Sequence, residues 1–283
     1  YFNHPDRAEL RDEPGFSKYY EGPIKKAAEL KLPLVFIASQ WESLLSGEPY
    51  FSLPAEKNPN VVTTNGVVQK AVCPFGPVEP WKEVGRSWTD SSAMKKLQEW
   101  YPDPPLVIFL SNNEHSKLVW TEAEKSARYL EKYGKDKDAN FKRKVIAEGW
   151  IQRYRALQES MREGLVNKGW KKNAFFVGYG AHGLEHLGRW PGWLDYSLYV
   201  PGRIDPSPLM WDGGSCSYYT HNWNPSTDFT VWSPQIEHMN MVFQQKLAHQ
   251  LNPNWWFEMS TWDGYTGGTK APEEPNDKRK YYA

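Results

Sequence analysis

Two glutamates stand where apolar runs of the sequence end. Glu114 follows "PPLVIFLSNN", and Glu258 closes "NWWFE" 144 residues further along the chain. Paired carboxyl groups support acid/base and nucleophilic chemistry when one is protonated and the other is ionised. At a separation of about 5–5.5 Å, such a pair suits glycosidic bonds, because one carboxyl protonates the leaving oxygen while the other attacks the anomeric carbon.

Both glutamates belong to a repeating pattern of predicted strands and helices. Helical spacing is seen near residues 18–32, 90–100, 138–166 and 233–251, with Asp90 or Ser91 as the N-cap of the second helix. Residues 1–16 read as a loop. The alternation of helices with strands along the chain requires right-handed crossovers and a parallel sheet. The strands are predicted at five continuous apolar runs: "LPLVFIAS", "LVIFLS", "NAFFVGYG", "PLMWDGG" and "NWWFEMS".

The sequence favours a closed barrel over an open sheet. No GxGxxG or GxxxxGK[ST] motif follows any strand, whereas polar and aromatic residues cluster directly after the strands, as at the catalytic face of a barrel. We therefore predict one α/β domain over residues 1–283, a (β/α)8 TIM barrel, with a β-hairpin excursion near 61–73 that turns at Asn65-Gly66 in type I′ geometry. The first and last strands are not evident, and the chain starts within a loop without Met, which favours an internal stretch of a longer protein.

Composition narrows the class of partner. Lys+Arg and Asp+Glu both number 34, so no basic field attracts nucleic acid or an anionic membrane, and no apolar run is long enough to span a bilayer. The chain carries 15 Trp, 16 Tyr and 12 Phe, with many Trp beside Gly, Pro, Asp or Asn. Indole faces presented by loops stack on sugar rings. The expected partner is a carbohydrate, which Arg189, Arg203 and Lys171 would suit if it were anionic.

The residues after the strands supply candidate substrate contacts. Asn113 can donate to a sugar 2-hydroxyl, a hydrogen bond that tightens in the transition state. Glu42 is a weaker candidate for a substrate hydrogen bond, and His182 is expected to line the cleft. The candidate sugar platforms are Trp41, Trp190, Trp193, Trp211, Trp223 and Trp262, each weighed equally against plain packing in the core.

With Asn113-Glu114 at one strand end and Glu258 at another, the sequence resembles the large clan of retaining (β/α)8 glycoside hydrolases. That clan carries Asn-Glu after its fourth strand and Glu after its seventh. The resemblance implies Glu114 as the acid/base and Glu258 as the nucleophile, with no cofactor and no metal. It also implies a Tyr and a His after the sixth strand, for which "CSYYTHN" offers Tyr218 or Tyr219 and His221. A polysaccharide substrate would in turn imply a secreted or periplasmic protein.

Two other functions stay open. The same scaffold could bind carbohydrate without cleaving it. "HGLEH", from His182 to His186, fits the H-x-x-E-H zinc motif, which works only on a helix where the two histidines share a face. The glycines and the proline around it disfavour that helix, so the zinc hydrolase ranks last.

Overall fold

A computed structural model of the chain describes residues 2–3, 13–39, 41–112, 123–180, 207–218, 246, 249–250 and 252–259. These residues form a parallel six-stranded sheet, covered on one face by helices, and a separate antiparallel hairpin. The strands of the main sheet are β1 (Phe2–Asn3), β2 (Leu34–Ser39), β5 (Val107–Asn112), β6 (Ala174–Gly180), β7 (Gly213–Tyr218) and β8 (Trp255–Met259), and those of the hairpin are β3 (Asn60–Val62) and β4 (Val68–Val72).

The main sheet is wound in one direction. Its order is β1-β2-β5-β6-β7-β8, so each strand pairs in parallel with the next main strand along the chain. A doubly wound sheet reverses direction at a switch point, and no reversal occurs among these strands. The predicted α/β class with a parallel sheet is therefore confirmed, and six strands are present where the sequence suggested five. Closure by two more strands stays a prediction.

The helices include the two whose boundaries the sequence indicated best. The helix Ser92–Trp100 is capped by Ser91, whose hydroxyl accepts from the Met94 amide at 3.3 Å. The helix Ala139–Gly164 starts after Asp138, whose carboxylate accepts from the Phe141 amide at 3.0 Å. The described helices are α1 (Glu13–Glu29), α2 (Glu79–Thr89), α3 (Ser92–Trp100), α4 (Ala127–Tyr133), α5 (Ala139–Gly164), α6 (Lys168–Asn173) and α7 (Ser207–Met210).

One face of the sheet carries a row of stacked phenylalanines. The Phe109 ring lies 5.7 Å from that of Phe36 and 5.2 Å from that of Phe176. Trp88 of α2 packs edge-on against Phe109, and Trp170 of α6 packs against Phe36. Because side chains alternate along a strand, the positions directly before and after each of these phenylalanines are on the face opposite the helices.

The predicted apolar stripe of α5 forms the centre of the core. Trp150 of this stripe packs against Trp81 of α2 with ring centroids 6.0 Å apart, and Tyr154 packs against the same ring at 5.1 Å. The predicted apolar stripe is confirmed from Val145 onward, whereas Phe141, its first predicted member, is only partly buried. Its buried members are Val145, Ile146, Trp150, Tyr154, Leu157, Met161 and Leu165.

Several sequence-based boundaries are wrong. The run "PLMWDGG" is not a strand: it contains the short helix α7, and β7 begins only at Gly213. The segment 1–16 is not all loop, since it holds β1 and the start of α1. Helix α2 was not predicted, because its two tryptophans and Pro80 resembled the surrounding loops. The predicted helix at 233–251 lies mostly outside the described residues.

The hairpin is present at the predicted place with a different turn. Strands β3 and β4 pair antiparallel, but only Gly66 in the turn has positive φ (80°), whereas a type I′ turn needs positive φ at Asn65 as well. The Gly66 amide donates to the Thr63 carbonyl at 2.9 Å. The loop is thus longer than two residues, with glycine at its left-handed position.

Gly85 sets the distance between α2 and α5. A Cβ at this position would lie 2.5 Å from the Leu157 carbonyl oxygen of α5. Replacing Gly85 by Ala should therefore destabilise the protein by roughly 1–3 kcal/mol, because two packed helices must separate. Gly22 of α1 is the matched control, since no atom lies within 4 Å of its added Cβ. Urea unfolding should show G22A unchanged or slightly more stable, and equal effects of the two changes would contradict the packing argument.

Candidate functional site

The carboxyl ends of the main strands lie side by side in a defined register. Asn112 of β5 is opposite Tyr179 of β6, and Tyr179 is opposite Ser215 of β7. Ser215 is opposite Trp256 of β8, which places Glu258 two residues beyond this row. Glu258 is therefore at the carboxyl end of its strand, as the sequence predicted.

Glu258 occupies a position on the sheet face opposite the helices. Its register partner is Ser217 of β7, and Ser217 shares a face with Ser215 because the two are two residues apart. Tyr179 is three residues from the helix-facing Phe176, so its position is on the opposite face of the sheet. Ser215 is in register with Tyr179 and is on that same face. In a closed barrel this face lines the interior and its mouth.

Strands β5 and β8 are separated by two strands, as the sequence analysis expected. In a flat sheet, three strand spacings of about 4.8 Å put the two strands roughly 14 Å apart. Closure into a barrel shortens that distance, because the strands then face each other across the mouth. A carboxyl separation of about 5.5 Å between Glu114 and Glu258 thus depends on the curvature of the sheet. Glu114 itself lies two residues beyond the last described residue of β5.

Two of the predicted contacts start a described helix. Trp41 and Glu42 are the first residues of a 3-10 helix, Trp41–Ser46, which begins two residues after β2 ends. The backbone of both residues is therefore at the carboxyl end of the sheet, although their side chains lie outside the described part. The other predicted site residues outside the described residues are Asn113, Glu114, His182, Trp190, Trp193, Tyr219, His221, Trp223 and Trp262.

Trp211 is a core residue, and its prediction as a sugar platform is wrong. Its side chain is 0% exposed, and its ring packs against Tyr154 of α5 at 5.0 Å. A ring with no accessible face cannot stack on a sugar. The error follows from the misplaced strand, because Trp211 precedes β7 at the amino end of the sheet and does not follow a strand.

The connections after β2 and β5 are tied to each other by three hydrogen bonds. Arg128 of α4 donates from Nη2 to the Asn58 carbonyl at 3.0 Å and also to the Ala55 carbonyl. The Cys73 thiol lies 3.3 Å from the Ser126 hydroxyl. Residues 55–73 belong to the connection after β2, and Ser126 and Arg128 end the connection after β5. The two connections that carry Trp41, Glu42, Asn113 and Glu114 therefore share one framework.

Arg153 of α5 extends this framework. Its guanidinium donates to the Gly149 carbonyl at 2.9 Å and to the Gly76 carbonyl. The pKa of Arg153 is lowered to about 10, mainly because its guanidinium is buried; Cys73 opposes this shift and the nearby Arg128 adds to it. The guanidinium stays charged at neutral pH, and its two shortest hydrogen bonds go to backbone carbonyls. Sequence patterns gave no signal for the bonds from Arg128 to Ala55 and Asn58 or from Arg153 to Gly76, because these partners are main-chain atoms 70 or more residues away.

An open pocket of about 430 Å³ lies at the amino ends of β6, β7 and β8, opposite the candidate site. Its main polar feature is the Asp212 carboxylate, which accepts from Arg155 at 3.0 Å, from Arg162 at 3.2 Å and from the Phe176 amide at 3.1 Å. The Asp212 amide in turn donates to the Phe176 carbonyl at 3.0 Å. These bonds join α5 to β6 and to the residue directly before β7, which indicates a stabilising role at this end of the sheet.

Replacing Asp212 by Ala should lower the free energy of unfolding by roughly 1–3 kcal/mol, because the Phe176 amide loses its acceptor and Arg155 and Arg162 each lose one of theirs. Asn at this position keeps one acceptor and should cost less. Asp90 is the control: its ion pair with Lys95, at 2.7 Å, is exposed on both sides, and Ala there should change stability by less than about 0.5 kcal/mol. Similar losses of unfolding free energy for D212A and D90A would contradict a stabilising role of the three hydrogen bonds that the Asp212 carboxylate accepts.

No protein-family model, curated protein or solved structure matches this chain. Within the described residues, no helix is long and apolar enough to cross a membrane, and no group of three or more His, Cys, Asp or Glu side chains could hold a metal ion. His182 and His186 of the zinc hypothesis lie outside the described part. Function is therefore inferred from the strand order and from the residues at the carboxyl end of the sheet.

Proposed function

We propose that the protein is a retaining glycoside hydrolase on a (β/α)8 barrel, with Glu258 as the nucleophile and Glu114 as the acid/base. The observation that supports this most is the position of Glu258, at the carboxyl end of β8 and on the face opposite the helices. The substrate is a poly- or oligosaccharide. The single winding direction of the sheet supports the barrel, because a barrel is closed by adding strands on one side.

The reaction proceeds in two displacements. In the first, the Glu258 carboxylate forms a bond to the anomeric carbon, the glycosidic C–O bond breaks, and Glu114 gives its proton to the leaving oxygen. In the second, Glu114 takes a proton from water, whose oxygen attacks the anomeric carbon and releases Glu258. Each step inverts the anomeric carbon, so the product keeps the configuration of the substrate.

The proposed nucleophile needs a different pKa from the proposed acid. Glu258 must be ionised to attack, whereas Glu114 must hold a proton at the same pH. Two carboxyls within about 5.5 Å achieve this by mutual repulsion, since the ionised member raises the pKa of the other. When Glu258 becomes esterified to the sugar, its charge disappears and the pKa of Glu114 falls, which converts Glu114 from an acid into a base.

The test is a covalent trap. The purified protein is incubated with a panel of 2-deoxy-2-fluoro glycosyl fluorides of gluco, galacto, manno and xylo configuration, and its intact mass is recorded. We expect one of them to add a single fluoroglycosyl group, with loss of fluoride, on the peptide that contains Glu258. The corresponding 4-nitrophenyl glycoside should release product of retained configuration when followed by proton NMR.

The outcomes separate the candidate functions. A label on another carboxylate, or a product of inverted configuration, contradicts the assignment of Glu258. Saturable binding of oligosaccharides without any turnover or trapping favours the non-catalytic carbohydrate-binding protein. Hydrolysis that stops on treatment with a chelator and returns with zinc favours the hydrolase that uses His182 and His186.

A further inference from the structure

Two buried asparagines hold the connection after β2 in place. Asn58 and Asn60 are both 0% exposed. The Asn60 amide nitrogen Nδ2 donates to the Leu45 carbonyl at 2.9 Å and to Asn58 Oδ1 at 3.0 Å. The Asn58 Nδ2 donates to the Phe51 and Leu53 carbonyls at 3.0 Å each. These bonds fasten the segment 45–53 to the start of β3.

The orientation of the Asn60 amide follows from its neighbours. Both atoms that its Nδ2 contacts, the Leu45 carbonyl oxygen and Asn58 Oδ1, are acceptors, so only the NH2 group can face them. The Asn60 Oδ1 is buried without a hydrogen-bond partner among the described residues. An unpaired buried oxygen is costly. The two hydrogen bonds that Asn60 Nδ2 donates therefore offset the free-energy cost of burying Oδ1 without a partner.

Leu45 belongs to the same 3-10 helix as Trp41 and Glu42. Its side chain is 0% exposed in the main core, and the helix contacts both β4 and α2. The helix is six residues long and is anchored by Leu45, one residue before its end. Trp41 and Glu42 stand at the other end, next to the carboxyl end of β2. The bond from Asn60 to the Leu45 carbonyl is thus the polar anchor of a segment that begins with two predicted substrate contacts.

We propose that Asn60 is a positioning residue of the carbohydrate site, which fixes the 3-10 helix Trp41–Ser46 through the Leu45 carbonyl and so sets where Trp41 and Glu42 stand at the sheet edge. A short 3-10 helix has weak hydrogen bonds of its own and gains its definition from such anchors. Through Arg128, which donates to the Asn58 carbonyl, the same anchor is coupled to the segment that follows Glu114. The substrate-related part of this proposal rests on the proposed function, while the positioning of Trp41 does not.

The test observes Trp41 directly and needs no substrate. The protein is labelled with 5-fluorotryptophan, and the resonance of Trp41 among the 15 tryptophans is assigned with Trp41→Phe. In Asn60→Ala we expect the Trp41 fluorine resonance to shift or broaden, and in Asn60→Gln, which keeps the amide donor, to return toward its wild-type position. On a cleaved 4-nitrophenyl glycoside, Asn60→Ala should lower kcat/KM roughly tenfold, mainly through KM.

Gln98 provides the matched control for a loss of stability alone. It is also a buried amide, 2% exposed, and its Oε1 accepts from the Val166 and Asn167 amides at 3.0 and 2.9 Å. It ties α3 to the connection after α5, at the other end of the sheet. Gln98→Ala should lower the melting temperature without moving the Trp41 resonance.

An unchanged Trp41 resonance in folded Asn60→Ala overturns the proposal, and so does an equal change in Gln98→Ala. Should Asn60→Ala not fold, Asn60→Ser carries the same comparison, because it withdraws the amide with a smaller change of polarity. If the resonance responds as expected but no glycoside or oligosaccharide binds or is cleaved, the proposed function fails while the positioning of Trp41 stands.

Discussion

Replacing Glu258 by Gln should reduce turnover of every cleaved glycoside to the background rate. The amide is nearly isosteric but cannot form the glycosyl ester, so the first displacement has no nucleophile. Binding should persist, because the rest of the cleft is unchanged. The measurement is kcat on the 4-nitrophenyl glycoside found in the panel, together with the dissociation constant of a matching oligosaccharide by calorimetry.

Glu114 should behave differently from Glu258 in the same assay. Loss of the acid/base in Glu114→Gln is expected to cost roughly 10²- to 10⁴-fold with a poor leaving group, and less with 4-nitrophenolate, which leaves without help from a proton. The alkaline limb of the pH profile should also vanish, because the group whose deprotonation causes it is gone.

Glu99 is the control for these two changes. It is an exposed residue of α3 outside the candidate site, so Glu99→Gln should keep wild-type kinetics. Full turnover in Glu258→Gln would remove the proposed nucleophile. If the rates of Glu114→Gln and Glu258→Gln depended on the leaving group in the same way, the assignment of Glu114 as acid/base and Glu258 as nucleophile would be wrong.

Replacing Trp150 by Ala should produce the largest loss of stability, roughly 3–5 kcal/mol, because it opens a large cavity between α2, α5 and the sheet. Trp150 is 0% exposed, with Trp81 at 6.0 Å and Tyr154 at 6.5 Å between ring centroids. Phe at this position fills part of the space and should cost less. The free energies are measured by urea unfolding with far-UV circular dichroism.

Tyr19 and Trp41 are the controls for Trp150→Ala, the first for stability and the second for oligosaccharide binding. Tyr19 is 64% exposed on α1, so its replacement by Ala should change stability by less than about 0.5 kcal/mol. Trp41→Ala should weaken oligosaccharide binding more than it lowers stability. If Trp150→Ala binds oligosaccharide less tightly at unchanged stability, the division of the tryptophans into core and cleft is wrong.

The regular helices and strands of this fold could largely be predicted from its sequence. The stripe of α5 repeats at helical spacing from Val145 to Leu165, and the caps Ser91 and Asp138 act on amides three residues away, so both signals are contained in short windows. The continuous apolar runs at β2, β5, β6 and β8 each coincide with a strand of the parallel sheet. The relation of β5 to β8, with two strands between them, follows from counting those runs.

Other features depended on contacts that no short window contains. Gly213 to Tyr218 has little apolar character, and it forms β7 because Val177 to Gly180 and the β8 backbone offer it hydrogen bonds on both sides. Trp211 resembled a loop tryptophan, yet the ring lies under α5 because Tyr154 and the sheet enclose it. Helix α2 is defined by its fit against α5, where Gly85 permits a close approach.

By itself the sequence determined the class of the fold, the positions of β2, β5, β6 and β8 and the placement of Glu258 at a strand end, because hydrophobic period is a local property. Only the tertiary structure decided which face of the sheet Glu258 belongs to, since strand register is set by hydrogen bonds between distant segments. It also decided that Trp211 is packing and that Asn60 anchors the segment after β2. Burial and amide partners are properties of neighbours in space, and neighbours as much as 77 residues apart in the sequence, as Arg153 and Gly76 are, leave no trace in the local pattern.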